Sequence, residues 1–489
     1  MQRLLIISFF LIFTNFYSQD LSTFNKFFND ATMRIDYYHV GDSKSELFTI
    51  DRIYKQGIWA GSRVNLLDNF NNGAYYYKIY DKTSGELIYS KGFDSYFKEY
   101  QTSSNALNGI NRSYHESALF PYPKNSIKLS IEKRDDQNLL QEIYNVEIDP
   151  NDIMIIKDAV IDKSVEVTKS LYNGDPHNKV DVVILAEGYT ENDRDNYIKD
   201  LNKFTEILTK YEPYSLLKEN FNVYGVFKPS EESGVDEPRA GIFKNTTLNA
   251  TFNSLGSERY LLTEDNKTLR NLASHVPYDA IYIMVNHKRY GGGGIYNWSC
   301  TFTTSNQFNE YLFVHEFGHS FAGLADEYYT SSTAYDNFYK PSLEPVEPNV
   351  TALLDPANIK WKNLLTGNIE LPTPWEKEEF DKTDYAWQEL RRKMNNNTAE
   401  LKRTNAEEEL IKKAEDDYAK KDKERSNEVD KYLQSSKYFG KVGAFEGAGY
   451  MEKGLYRPMV DCIMFSKGDK PFCKVCESAI AKVIKHYTE

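Results

Sequence analysis

The chain has 489 residues, which is enough for two or three domains. Hydrophobic residues make up 40% of it, a composition typical of a globular protein with an apolar core and not of a membrane protein. Lys and Arg number 59 against 72 Asp and Glu, which gives a formal net charge of -13. An acidic chain without a basic stripe excludes nucleic acid and anionic lipid as expected partners, because both are bound through clustered Lys and Arg.

The first residues have the pattern of a secretory signal peptide, which we predict over residues 1–18. Arg3 supplies the positive region, the apolar run 4–13 follows, and Ser18 and Gln19 form the expected cleavage zone. The apolar run is too short to span a bilayer comfortably, and an uncleaved anchor is the alternative. We therefore expect export to the periplasm, the cell surface or the extracellular space, without stable membrane insertion.

Residues 19–160 have the pattern of a β-rich domain. Short segments rich in Tyr, Ile and Leu are separated by Gly, Asp, Asn and Ser; they include residues 34–39, 74–80, 86–90 and 126–131. Short strands with regular turn signals predict an antiparallel β-sandwich. This part contains no catalytic pattern, so we expect it to be a scaffold.

The pattern changes after a linker signal, Asn-Gly-Asp-Pro, at residues 173–176. The following strand predictions are the buried runs 180–185 and 280–285 and the alternating segment 221–227, and residues 191–217 have helical spacing. Strands that alternate with helices predict an α/β layer. We therefore predict a second domain, with a mixed sheet, over residues 175–489.

Four consecutive glycines occupy positions 291–294. They lack the spacing of a nucleotide-binding loop, so we interpret them as a place where another backbone approaches closely. A substrate peptide that lies along a sheet edge would be such a backbone.

The segment 376–435 is rich in Glu, Lys, Arg and Ala and has almost no Gly or Pro. This composition predicts one or two long exposed helices or a helical hairpin. We interpret the segment as a solvated insertion, and a lid or partner-binding arm is the alternative.

The motif HExxH begins at His315. Residues four apart lie on one face of a helix, so the imidazoles of His315 and His319 can both reach one zinc ion. Glu316 is then placed to take a proton from water as it attacks a carbonyl. The alternative, a buried histidine pair satisfied by hydrogen bonds, is disfavoured because the motif sits in an apolar helical pattern after a predicted sheet.

A catalytic zinc ion needs a third protein ligand. Gly323 suits the end of the helix, and Asp326 follows it by three residues, a spacing similar to that of metzincins, in which the third ligand is a histidine. Asp326 is our first candidate, Glu327 is the close rival, and Glu446 is a third possibility. We expect the carboxylate of the 326–327 pair that does not bind metal to orient a ligand histidine.

Two further features lie near the C-terminus. The run 456–466 resembles the Met-turn of metzincins, with Met464 as the better candidate and Met459 as the other, although an ordinary core methionine is the alternative. Tyr450 or Tyr456 is a candidate to donate a hydrogen bond to the oxyanion that develops during hydrolysis.

The four cysteines are Cys300, Cys462, Cys473 and Cys476. Cys473 and Cys476 have the spacing of half a zinc knuckle or of a redox motif, but no second CxxC accompanies them. Export permits disulfides, so a disulfide among the four, with Cys462 as a candidate partner, is at least as well supported as a structural zinc site.

The residues from His315 to Tyr328 (HEFGHSFAGLADEY) resemble the signature of the bacterial IgA-peptidase family of zinc metallopeptidases. Further similar passages are VILAEGY at 183–189, YGGGGIY at 290–296, EPNVT at 347–351, KWK at 360–362, FEGAGY at 445–450 and the run 456–462. The part before residue 175 resembles the β-rich domain that precedes such catalytic domains. Two features depart from the family pattern: Ala322 stands where relatives often carry a second glycine, and the segment 376–435 is larger than a minimal member needs.

The resemblance implies a metzincin-like catalytic domain, zinc dependence and proteolysis outside the cytoplasm. It implies that His315 and His319 are zinc ligands and that Glu316 is the catalytic base. We therefore predict a secreted, zinc-dependent endopeptidase that acts on proteins or peptides. The alternatives are a zinc amidase acting on cell-wall or other amides, and a non-catalytic binding or adhesion protein on the same fold. An intact Glu316 disfavours the binding protein, because such a module needs no general base.

Overall fold

The computed structural model describes residues 21–157, 162–330 and 338–489. The predicted signal peptide over residues 1–18 lies outside the described residues. Within those three ranges, none of the helices combines the length and the apolar character needed to cross a bilayer.

Residues 21–157 form two antiparallel sheets with strand orders β2-β1-β5 and β4-β3-β6-β7. The elements in chain order are α1 (Leu21–Phe27), β1 (Phe28–Gly41), β2 (Glu46–Lys55), β3 (Tyr75–Asp81), β4 (Leu87–Phe93), α2 (Tyr96–Gln101), α3 (Ser104–Leu107), β5 (Arg112–Pro123), β6 (Ile127–Arg134) and β7 (Leu140–Ile148). Both sheets contribute buried side chains to one apolar cluster, Ile35 and Phe120 from the first and Tyr77 and Leu129 from the second. The prediction of antiparallel sheets in this part is confirmed.

The remaining elements build a larger mixed sheet with helices around it. They are β8 (Glu166–Leu171), β9 (Val180–Glu187), α4 (Arg194–Leu208), β10 (Phe221–Phe227), α5 (Asn266–Ala273), β11 (Ala280–Val285), β12 (Gly292–Ile295), β13 (Ser299–Thr303), α6 (Asn309–Ala322), α7 (Lys377–Arg403), α8 (Glu408–Ser435), β14 (Phe445–Ala448), β15 (Met451–Arg457) and α9 (Lys474–Thr488). The sheet order is β12-β13-β11-β9-β10-β8. The four inner strands are parallel, and the edge strands β12 and β8 are antiparallel to their neighbours. The prediction of a mixed sheet is confirmed.

The sheet is covered on both faces, which explains its continuous apolar runs. Every residue of β9 is buried. Val182 and Ile184 share an apolar cluster with Phe313 and Phe317 of α6. The residues between them, such as Val183, belong to a second cluster on the other face, which includes side chains of α2 and α5. The N-terminal part therefore supports the sheet from the face opposite α6.

Two sequence-based boundaries differ from the structure. The helix predicted over residues 191–217 ends at Leu208, because Tyr211 and Tyr214 turn into the core and Pro213 disfavours helical geometry in the residue before it. The sheet of the second domain also begins before the predicted start at residue 175, because β8 pairs with β10. The charged segment 376–435 forms the two helices α7 and α8, which pack against each other.

Gly225 of β10 gives a test of how tightly α4 packs on this sheet. A Cβ atom at Gly225 would lie 2.3 Å from Leu201 Cδ2 and 2.8 Å from the Tyr197 hydroxyl oxygen. We expect Gly225→Ala to lower the free energy of unfolding by about 1–3 kcal/mol through overpacking. The matched control is Gly367→Ala, where an added Cβ meets no atom within 4 Å. Equal denaturant midpoints for the two variants would contradict the tight α4–β10 contact.

Candidate metal centre

Helix α6 presents two different faces. Phe313 and Phe317 pack on the Tyr282 ring of β11, at centroid distances of 4.4 Å and 4.8 Å. His315, Glu316 and His319 instead line a cavity between this helix and strand β12. The spacing of the motif therefore places apolar rings in the core and three polar side chains at the cavity.

The helix ends at Gly323, which takes the left-handed conformation with a φ of 61°. Glycine adopts this conformation without strain, so the chain can leave the helix and turn back along the cavity. The turn returns Asp326 to the two imidazoles. The buried segment that follows Gly323 thus supplies the acidic residue that the spacing predicts.

Three acceptor atoms converge at one point of the cavity. The Nε2 atoms of His315 and His319 lie 3.1 Å apart, and Asp326 Oδ1 lies 3.1 Å from the first and 3.2 Å from the second. Ligand atoms at about 2.0–2.1 Å from a tetrahedral zinc ion lie roughly 3.3 Å apart. The triangle therefore matches one face of such a coordination sphere, and the donor set fits a bound divalent metal ion.

Backbone carbonyls fix the orientation of both imidazoles. His315 Nδ1 lies 3.0 Å from the carbonyl oxygen of Ile463, and His319 Nδ1 lies 2.6 Å from that of Leu324. A carbonyl only accepts, so we assign the ring proton to Nδ1 in each case. In the neutral imidazole Nε2 then carries a lone pair that points at the convergence point.

The charges of the cluster favour a bound positive ion. Burial alone would lower the pKa of His319, but the charge of Asp326 outweighs it and raises the pKa to about 9. Burial would raise the pKa of Asp326, but the two imidazoles hold it well below its usual range. A proton is thus the alternative occupant of the cluster, and a metal ion must displace it on binding.

Glu316 lies beside this triangle on the cavity wall. Burial raises its pKa above the usual range, and the neighbouring histidines oppose that rise. A Cβ atom at Gly292 would lie 2.9 Å from Glu316 Oε1, so a side chain there would collide with the carboxylate. Glycine at this position leaves room for Glu316 to face the cavity.

The glycine run brings strand β12 close to α6. A Cβ atom at Gly294 would lie 2.5 Å from the Glu316 carbonyl oxygen and 2.9 Å from His319 Cβ. The sequence predicts a close backbone approach here, and the backbone that approaches is that of α6. The edge strand of the large sheet therefore borders the same cavity as the histidines.

The two rival carboxylates lie elsewhere. Glu327 is turned away from the imidazoles, and its Oε1 atom lies 3.3 Å from Cys476 Sγ and accepts a hydrogen bond from Asn349 at 3.0 Å. Glu446 lies in β14, where its side chain accepts from the Gly454 amide at 3.2 Å. The structure brings only Asp326 of the three to the histidine pair.

The two candidate tyrosines occupy different environments. Tyr450 lines the cavity, and its hydroxyl donates to Asp326 Oδ2, the carboxylate oxygen that does not face the imidazoles. Tyr456 lies in β15 opposite Glu446 and is not among the described residues that line this cavity. The structure therefore brings Tyr450 to the centre and leaves Tyr456 outside it.

Tyr450 has an unusual backbone conformation. It follows Gly449 in the two-residue turn between β14 and β15, and the φ angles are 57° for Gly449 and 64° for Tyr450. Such turns favour Gly or Asn at both positions, and a bulky residue there is strained. The strain places the phenol against Asp326, and strain of this kind is concentrated at functional sites.

Other cavity residues were not predicted from the sequence. Tyr311 O–H lies 3.2 Å from His315 Nδ1. Burial and then the negative charge of Asp326 raise the pKa of the Tyr328 hydroxyl well above its usual value. Arg259 donates to the Tyr328 hydroxyl at 3.3 Å. Tyr311 lies one helical turn before His315, and Tyr328 lies nine residues after His319. Closeness to the motif in the sequence was therefore a usable signal for both tyrosines. Arg259 precedes the motif by a long irregular segment, and its position carries no such signal.

Met464 lies directly under the helix. A Cβ atom at Gly318 would lie 3.0 Å from Met464 Sδ, so the sulfur packs on the glycine between the two histidines. Met459 is partly buried and packs against the same core. Of the two Met-turn candidates, Met464 is therefore the one that contacts α6 beneath the motif.

The charged helices reach the edge of this centre. A second cavity, next to the first, is lined by Asp384 of α7 and by Asp422 and Arg425 of α8. Arg259 and Tyr328 line both cavities. The helices of the insertion thus form a wall beside the candidate metal centre.

The sequence matches the models of two known protein families. The model of the IgA Peptidase M64 family matches residues 165–484, well over half of the chain, and the model of the Peptidase M64 N-terminus matches residues 23–145. No curated protein matched the chain. The resemblance seen in the sequence is confirmed, and the family implies a peptidase of the metal-dependent type that acts on proteins or peptides. The chain belongs to the IgA peptidase M64 family of metallopeptidases.

Proposed function

We propose that this chain is an exported, zinc-dependent endopeptidase that hydrolyses peptide bonds of extracellular or host proteins, with a metzincin-like catalytic domain. The observation that carries the proposal is the convergence of His315 Nε2, His319 Nε2 and Asp326 Oδ1 beside a carboxylate, Glu316. Export rests on the signal pattern of residues 1–18.

His315, His319 and Asp326 would hold the zinc ion. Two nitrogen ligands and one carboxylate ligand are a donor set typical of catalytic zinc, which keeps a further position open. A bound zinc ion supplies a Lewis acid that polarises the substrate carbonyl and lowers the pKa of water. The hydrogen bonds from Nδ1 to the carbonyls of Ile463 and Leu324 keep both imidazoles in the ligating orientation.

Glu316 acts as the general base and then as the general acid. Its carboxylate takes the proton from the attacking water and passes it to the amine nitrogen as the C–N bond breaks. Burial already favours the protonated form of Glu316 compared with an exposed glutamate. A carboxyl group in this environment can both accept the proton and release it to the leaving group.

Strand β12 would bind the substrate backbone. It is the edge strand of the large sheet, and Gly293 and Gly294 line the cavity next to Glu316. Residues 259–261 already pair with Gly292, so we place the extended peptide further along the strand. Pairing through the main chain accepts many sequences, which suits an endopeptidase acting on proteins.

The first test is Glu316→Gln, which removes the base and preserves the shape of the side chain. We expect the metal content to stay the same and kcat/KM on a denatured protein mixture to fall by roughly 10²–10⁴. Elemental analysis and mass spectrometry of the released peptides measure the two quantities. If Glu316→Gln released peptides as fast as the unmodified protein, the proposed role of Glu316 would be contradicted. If the unmodified protein releases products from purified cell-wall material but not from proteins, the amidase alternative replaces the endopeptidase proposal.

A second test separates the carboxylate candidates. Asp326→Ala removes a converging ligand atom, so we expect zinc affinity, measured by chelator competition, to fall by more than the roughly 10- to 100-fold typical of outer contacts. Glu446→Ala is the matched control, because Glu446 lies in β14 away from the imidazoles, and we expect its zinc affinity to be unchanged. A larger loss in Glu446→Ala than in Asp326→Ala would overturn the ligand set.

A third test concerns the strained tyrosine. Tyr450→Phe keeps the ring and removes the hydroxyl that donates to Asp326, so the carboxylate is less firmly oriented. We expect zinc affinity or kcat to fall by roughly 10- to 100-fold. Tyr456→Phe is the control and should match the unmodified protein in both measurements. Equal behaviour of the two variants would show that the Tyr450 hydroxyl does not position Asp326.

A further inference from the structure

Three cysteines and one glutamate meet in the core outside the catalytic cluster. The donor atoms of Glu327, Cys462, Cys473 and Cys476 all lie within 4.8 Å of one another. None of the four side chains is more than 3% exposed. Such a group is closed to water and presents four donors, which is the composition of a structural metal site.

The distances match tetrahedral coordination. Cys462 Sγ lies 3.9 Å from Cys476 Sγ, and Glu327 Oε1 lies 3.3 Å from Cys476 Sγ and 3.9 Å from Cys473 Sγ. With zinc–sulfur bonds of about 2.3 Å and zinc–oxygen bonds of about 2.0–2.2 Å, ligand pairs lie roughly 3.5–3.8 Å apart. One ion at the centre can therefore reach all four donors with small adjustments.

The disulfide that the sequence offers as an alternative to a structural zinc site is not present. All four cysteines are free, and the 3.9 Å between the Cys462 and Cys476 sulfur atoms is far longer than a covalent bond of about 2.05 Å. Cys300 lies apart from the group, where its thiol contacts the carbonyl of Ile281. The prediction of a disulfide involving Cys462 is therefore wrong for this structure, because the thiols are arranged around a common centre and not in bonded pairs.

The environment of Glu327 is the strongest indication that this cluster can bind a cation. Its side chain is fully buried, and its Oε2 atom has no hydrogen-bond partner among the described residues. Oε1 accepts from Asn349, and the buried guanidinium of Arg457 supplies one positive charge in the surroundings. A buried carboxylate beside three thiols is unfavourable without a further positive charge.

The backbone is arranged to stabilise thiolates. The amides of Cys473 and Met464 donate to Cys462 Sγ at 3.1 Å and 3.4 Å. Cys473 caps the N-terminus of α9, and its sulfur accepts from the Cys476 amide at 3.5 Å. Amide donors and a helix N-terminus both favour the deprotonated sulfur that a metal ion requires.

We propose that Cys462, Cys473, Cys476 and Glu327 bind a second, structural zinc ion. This ion goes beyond the proposed catalytic centre, but it holds the two segments on which that centre depends. The Glu327 amide donates to the Met464 carbonyl at 2.9 Å, and the Ile463 carbonyl accepts from His315. The second ion therefore fixes the position of Asp326 and the orientation of His315 from behind.

The test measures metal and thiolate ligation in the full chain, independently of activity. The unmodified protein should bind about two zinc ions, and the double variant His315→Ala/His319→Ala should keep about one. Replacing zinc by cobalt should give the intense near-ultraviolet band of cobalt–thiolate bonds in both proteins. Histidine and carboxylate ligands give no such band, so it reports the second site alone.

Cys476→Ser should lose about one zinc ion and the thiolate band, whereas Cys300→Ser should keep both. Cys300 is equally buried but lies outside the cluster, so it controls for the loss of a core thiol. If Cys476→Ser fails to fold, the unmodified protein and the double histidine variant still decide the question. The proposal is overturned if cobalt gives no thiolate band in either protein, or if alkylation and mass spectrometry find a disulfide among the three cysteines. If the unmodified protein binds both zinc ions but has no peptidase activity, only the proposed catalytic function is contradicted, and the proposal of a structural zinc site stands.

Discussion

The hydrogen bonds from the imidazole Nδ1 atoms to the carbonyl oxygens of Ile463 and Leu324 set the chemistry of the whole centre. They commit the proton of each ring to the side away from the cavity. The opposite nitrogens and Asp326 Oδ1 are then three acceptors at about van der Waals distance, and they repel one another unless a cation lies between them. Two backbone carbonyls thus orient the two histidines of this helix so that they could hold a metal ion.

The large sheet determines where an extended peptide could reach the candidate metal centre. Each inner strand already pairs with a neighbouring strand on both sides, so it has no free edge to which an extended peptide could add. Only an edge strand has main-chain groups to offer, and β12 is the edge next to α6. Because Gly292 and Gly294 have no side chains, this edge lies against the helix that carries Glu316. The glycine run therefore places the edge strand that we propose for substrate binding in the same cavity as Glu316 and the two histidines.

Much of this arrangement could be predicted from local sequence. Strand β9 and helix α6 have clear hydrophobic patterns in the sequence. The four-residue spacing of His315 and His319 predicts that both lie on one face of the helix. Features that depend on distant contacts could not be predicted in the same way. The helix from residue 191 was predicted too long because burial of Tyr211 and Tyr214 overrides its spacing. The cysteine cluster was missed as a set because Glu327 joins it across more than a hundred residues of chain.

The sequence alone does not distinguish Asp326 from Glu327 as the residue that faces the histidines. Both are carboxylates at nearly the same distance from the helix end, so spacing alone cannot rank them. Three hydrogen bonds determine which of the two faces the histidines. The Asn349 side chain accepts from the Ala325 amide and donates to the Ala325 carbonyl, and the Glu327 amide donates to the Met464 carbonyl. These hydrogen bonds fix the orientation of a segment that has no regular secondary structure. Asp326 therefore faces the imidazoles, and Glu327 faces the thiols. Because Asp326 and Glu327 are adjacent and face opposite sides of this segment, they would couple the two proposed metal sites: a shift that moves one carboxylate must also move the other.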